Sequence, residues 1–88
     1  MRLDPSFRVV NVSDEFLVIP TGEKSRSFDG IITINEPTAY ILEKMEVTQS
    51  IDDLAILLTE KYDVDLDIAT KDIVSIIKTL SEYGVINS

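Results

Sequence analysis

Apolar residues follow two different periods along these 88 residues. Up to position 34 they come in short β-branched and aromatic runs, and from position 38 onward they recur at helical spacing. Phe7-Arg8-Val9-Val10-Asn11-Val12 and Glu15-Phe16-Leu17-Val18-Ile19-Pro20 predict two strands, and the two residues between them, Ser13-Asp14, predict a tight hairpin. Thr21 to Gly30 is polar and bounded by glycine, which predicts a loop or a flexible hairpin end. A third strand is predicted at Ile31–Ile34. Phe7, Val9, Phe16 and Val18 share one alternation; Val10, Val12, Leu17 and Ile19 share the other. A two-layer domain needs only one apolar sheet face. The second apolar face therefore calls for twist and cover by the N-terminus, or for a protein contact.

Three helices are predicted after the strands. Asn35 is a strong N-cap, Glu36 suits the positive helix end, and Pro37 is tolerated in a first turn that needs no N–H donor. Strand thus passes into helix with almost no loop, which leaves the strand free to be a sheet edge with a helix beside it. In this first helix Thr38, Ile41, Leu42 and Met45 form one stripe. Ser50-Ile51-Asp52-Asp53 resembles a capping box with Asp53 in the usual Glu position, and Ile51, Leu54, Ala55, Leu58 and Tyr62 carry the second stripe. A third helix is predicted from near Asp67 to Gly84, a fitting left-handed terminator, after which Val85 and Ile86 fold back. On it Tyr83, Ile76, Ala69, Leu80, Ile73, Ile77 and Val74 span an arc of roughly 180°, against about 100° for a helix buried on one side. Such a helix is buried on two sides, or offers one edge of its arc to a partner. Thr70 and Ser81 lie inside the arc near Val74, with Lys71 and Lys78 just beyond. Strands first and helices second, with short joins, predict an α+β domain: a small winged helix-turn-helix-like unit with a three-stranded antiparallel sheet followed by three helices. Residues 1–88 read as one domain with its core at about 7–86.

Composition removes several functions. The chain has no Cys and no His, so it lacks thiolate chemistry, the commonest zinc ligand and the usual base near neutral pH. Its carboxylates sit at caps and on solvated faces with no Gly-rich phosphate loop, which argues against an enzyme and predicts no cofactor. Asp63, Asp65 and Asp67 alternate like a calcium loop, but no Gly follows at the sixth position and Lys71 and Asp72 stand where distal ligands belong. Short apolar runs and a polar N-terminus predict no membrane span, no signal peptide and a cytoplasmic protein. The net charge is −8, and residues 31–88 carry eleven acidic groups against four basic. That surface repels phosphate, so nucleic acid is not an expected partner and a DNA-reading winged helix is disfavoured. A protein-interaction or subunit-interface module of winged-helix type remains open, since a groove for a peptide and one for a protein segment look alike in sequence.

The order of segments carries more. Ile32-Thr33-Ile34-Asn35 followed by Ala39-Tyr40-Ile41-Leu42 resembles the "LN…A..I" segment of the PqqD family, which comprises the pyrroloquinoline quinone chaperone and related RiPP recognition elements. Ser50 to Leu54 with Glu60 to Val64 resembles its second-helix segment; Asp72 through Leu80 and Gly84-Val85-Ile86 resemble its third helix and closing "G-L/V-I" end. The strands lack the Trp and the "YPEG" hairpin typical of the quinone-cofactor chaperone, which favours a stand-alone recognition element from another peptide-modification pathway. The resemblance implies binding of the leader segment of a ribosomally made precursor peptide and its presentation to a modifying enzyme, such as a radical SAM enzyme, a cyclase or a leader peptidase. It implies that the leader adds as an antiparallel strand to Ile31, Ile32, Thr33 and Ile34 and packs on the third helix. Ala69, Thr70, Val74, Ile77 and Ser81 are then the groove candidates, with Lys71 and Lys78 meeting leader carboxylates.

Overall fold

The computed structural model describes residues 1–22 and 30–87. Most of the loop expected between Thr21 and Gly30 lies outside them. Strand β2 (Phe7–Val12) and strand β3 (Glu15–Pro20) form the expected hairpin, with Val9 opposite Val18 and Val12 opposite Glu15. The turn residues Ser13 and Asp14 both have positive φ, 49° and 68°, the mark of a type I′ turn whose twist matches the flanking strands. Among the described residues strand β4 (Ile32–Ile34) pairs with β3 alone, so the sheet order β2-β3-β4 leaves β4 at an edge. Ile31 precedes this strand and is exposed at 58%, so the expected third strand begins one residue late.

Pairing assigns the two apolar faces. Phe7 and Val18 are buried, and Val9, Ile32 and Ile34 on the same alternation pack against the core, so this is the inner face. The outer face carries Val10 opposite Leu17 and Leu17 opposite Thr33.

The helices follow their caps. Helix α1 (Glu36–Lys44) starts where Asn35 Oδ1 accepts from the Thr38 backbone N–H at 2.9 Å and from the Thr38 hydroxyl at 2.6 Å. Helix α2 (Ile51–Lys61) starts where Ser50 Oγ accepts from the Asp53 N–H at 3.3 Å; the Asp53 carboxylate takes the Thr48 hydroxyl at 3.2 Å and does not close a box onto Ser50. Helix α3 (Leu66–Glu82) ends in a Schellman motif: Gly84 N–H donates to the Ser81 carbonyl at 3.0 Å, and Val85 N–H to the Leu80 carbonyl at 2.9 Å. Gly84 sits at φ 77°, the left-handed region that motif requires. Ile41, Leu54 and Ile73, one from each helix, are fully buried, each worth about 1.5–3 kcal/mol of apolar transfer. Ile51, expected in the second stripe, lies at its margin and is 37% exposed, while Leu54, Ala55 and Leu58 are buried.

The chain also closes at its ends in a way the apolar pattern does not reveal. Strand β1 (Arg2–Leu3) pairs with strand β5 (Ile86–Asn87), Arg2 opposite Asn87. Asp4 ties this ribbon down: its N–H donates to the Val85 carbonyl at 2.7 Å, and its carboxylate accepts from Asn87 Nδ2 at 2.8 Å and Ser6 N–H at 2.7 Å. The order of elements is thus an α+β domain in which a three-stranded antiparallel sheet is followed by three helices.

Candidate functional site

Asn35 sets the site by ending β4 after three residues and turning the chain at once into α1. An edge strand this short still presents unpaired N–H and C=O groups along one side. Facing that side is α3. Ile32, Ile34, Ile76, Leu80 and Tyr83 line a groove of about 280 Å³ between them, with Thr33, Asn35, Thr38, Ser75 and Thr79 supplying polar atoms. A second hollow of about 260 Å³ shares Asn35, Thr38, Ser75 and Ile76, and adds Pro37, Leu58 and Asp72. The two adjoin at these shared residues and make a trough that starts along β4 and continues past its C-terminal end, between α1 and α3. Its chemistry suits an extended peptide: backbone donors and acceptors on one wall, an apolar helix face on the other.

A larger cleft of about 530 Å³ opens on the other flank of α1, with Val9, Phe16, Tyr40, Glu43 and Tyr62 among its walls. Its two tyrosines are already engaged. Tyr40 and Tyr62 meet edge to face with centroids 6.0 Å apart. The Lys44 and Lys61 ammonium groups lie 5.4 and 5.3 Å from the Tyr40 ring centroid. Tyr62 donates its hydroxyl to Glu36 Oε2 at 2.6 Å. Loss of solvation, then the hydrogen bond to Glu36 and that carboxylate's charge, with a further contribution from Tyr40, push the Tyr62 hydroxyl up to about 12. This arrangement locks the end of α2 to the start of α1.

The sequence pattern of coenzyme PQQ synthesis protein D (PqqD) matches residues 17–86, most of the chain. The chain belongs to the PqqD family. Its fold is shared with a lasso peptide synthetase B1 complexed with the leader peptide, at TM-score 0.80 and 25% identity, over 99% of this chain and 96% of that one. TbiB1 in complex with the TbiA(beta) leader peptide superimposes with TM-score 0.79 over 100% of this chain and 96% of that one; at 11% identity the likeness is one of fold. No curated protein matches the sequence.

In this PqqD-family chain the expected site residues fall into two groups. Ile32, Thr33 and Ile34 line the trough, and Ile31 stands just outside it. The expected residues of α3 do not line it. Ala69 is fully buried and has no surface to offer a ligand. Thr70 donates its hydroxyl to the Leu66 carbonyl at 2.9 Å, and Ile77 packs against the core. Lys71, Val74, Lys78 and Ser81 are exposed and lie on the opposite edge of the helical arc from Ile76 and Tyr83. The edge of α3 that turns to β4 instead carries Ser75, Ile76, Thr79 and Tyr83, with Asp72 further along. Ile76 and Tyr83 were visible at one end of the arc. A lone sequence does not say which end meets the strand, and the lysines mark the other.

Among the described residues no helix is long and apolar enough to cross a membrane.

Proposed function

We propose that the chain binds the leader segment of a ribosomally made precursor peptide, without turnover of its own, and presents it to a modifying enzyme. The leader adds antiparallel to β4 and lays alternate side chains against Ile76, Leu80 and Tyr83. The observation that carries this reading is the edge of β4, unpaired among the described residues, facing an apolar helix wall across the trough. Backbone hydrogen bonds then give affinity and the pockets give sequence preference. Two proteins of the same fold are complexed with leader peptides, and one of them is a lasso peptide synthetase B1, which supports a peptide-processing partner such as a cyclase or leader peptidase. Turnover finds little support in a chain without His or Cys.

Calorimetry with a leader peptide encoded beside this gene, paired with amide exchange, tests the reading. Micromolar or tighter binding is expected, with slowed exchange in residues 32–34. Absence of binding at about 100 μM, or protection confined to α2, overturns it.

A further inference from the structure

We propose that the peptide site selects for a Lys or Arg in the N-terminal part of its ligand, and that Asp72 is the residue that selects it. The inference rests on strand addition at β4. It goes beyond that reading by fixing the direction and the charge of the peptide.

Direction follows from which residues line which end. The two hollows overlap at Asn35, Thr38, Ser75 and Ile76, so they are consecutive parts of one trough. Pro37, Leu58 and Asp72 line only the end nearest the start of α1; Ile32, Leu80 and Tyr83 line only the other. Strand β4 runs from Ile32 to Ile34 toward the Asp72 end. Helix α3 runs from Asp72 to Tyr83, about 16 Å at the α-helical rise. An antiparallel ligand strand runs against β4, so its N-terminal residues lie beside Asp72 and its C-terminal residues leave past Tyr83.

Charge follows from the same walls. Among the described residues lining the trough, Asp72 is the one that is charged near neutral pH; the others are Ile, Leu, Thr, Ser, Asn, Pro and Tyr. The lysines of α3, Lys71 and Lys78, lie on the opposite edge of its arc and do not line it. The positive end of α1 is close by, at Asn35 and Pro37, but Glu36 in its first turn already offsets that dipole. A ligand carboxylate at this end meets Asp72 and a chain of net charge −8, whereas an ammonium or guanidinium meets a complementary partner. Asp72 is exposed, so the preference is the modest one of a solvated ion pair, about two- to fivefold in affinity.

A phage-displayed library of randomised linear peptides, selected on the parent protein and on Asp72→Lys and Asp72→Asn, provides the test. Each enriched peptide is mapped by backbone amide shifts at Thr33 and Thr79. Peptides that map to the trough should carry Lys or Arg N-terminal to their apolar stretch. That bias should turn to Asp or Glu with Asp72→Lys and disappear with Asp72→Asn. Peptides that map to the trough with no basic bias, or with a bias unchanged by either variant, overturn the assignment to Asp72 and leave strand addition standing. If no peptide perturbs Thr33 and Thr79, strand addition itself fails and the charge preference falls with it.

Discussion

Tyr62 and Glu36 are 26 residues apart in sequence and joined by a 2.6 Å hydrogen bond that ties the C-terminus of α2 to the first turn of α1. The bond needs the phenol protonated, and its surroundings push the hydroxyl from its ordinary 10 up to about 12. The folded protein therefore holds this proton more tightly than the unfolded chain. The contribution to stability is complete below pH 10 and is lost as the pH rises from there to about 12. Ultraviolet titration of tyrosinate should show one component near 12 that Tyr62→Phe removes. If the titration of Tyr62→Phe retains that component, the assignment is wrong.

Asn35 carries two bonds from one residue, the Thr38 N–H and the buried Thr38 hydroxyl. Asn35→Ala should cost about 1–2 kcal/mol in urea unfolding, the upper range for a lost N-cap, because the hydroxyl is left in the interior as well. Asn35→Asp keeps the acceptor and should stay close to the parent at neutral pH.

The hairpin turn is built from residues that tolerate positive φ less well than the turn favours. Replacing Ser13-Asp14 by Asn-Gly should raise stability by about 0.5–1 kcal/mol, read as a higher denaturant midpoint at unchanged slope. A fall in stability would show that these two side chains hold something beyond the turn.

Filling the trough is the sharpest test of where a peptide lies. Thr79 is exposed on α3 and lines the trough, so Thr79→Trp should leave stability within about 0.5 kcal/mol while lowering leader affinity at least about tenfold. Lys71→Ala/Lys78→Ala, on the other edge of the helix, should bind like the parent at low and high salt. The reverse pattern would move the site to the lysine flank.

The sequence was most legible where one residue type has one physical job. Asn35 and Ser50 announced helix starts, Gly84 announced a stop, and Ser13-Asp14 fixed a two-residue turn, because each supplies a donor, acceptor or backbone angle that few residues can. The stripe of Thr38, Ile41, Leu42 and Met45 likewise named a buried face, and all four are buried. The β1–β5 ribbon was illegible: two residues on each side are too short for an alternation, and Asp4 holds the ribbon through contacts more than eighty residues away. The helix wall of the trough was half legible. The wide arc of α3 promised a spare edge, but the Tyr83 edge and the Val74 edge are exposed to a similar degree, 54% and 49%, and only the third dimension shows that β4 lies beside the first.

The ribbon of Arg2–Leu3 against Ile86–Asn87 has one more outcome. Opposite partners in such a ladder stand only about 5 Å apart, so the two ends of the described fold are a single place on its surface. A tether to an enzyme could be fastened at either end and would swing from the same pivot. Joining the ends by a short bridge and reopening the chain at Ser13-Asp14 would turn the domain into a permuted ring with its peptide trough untouched.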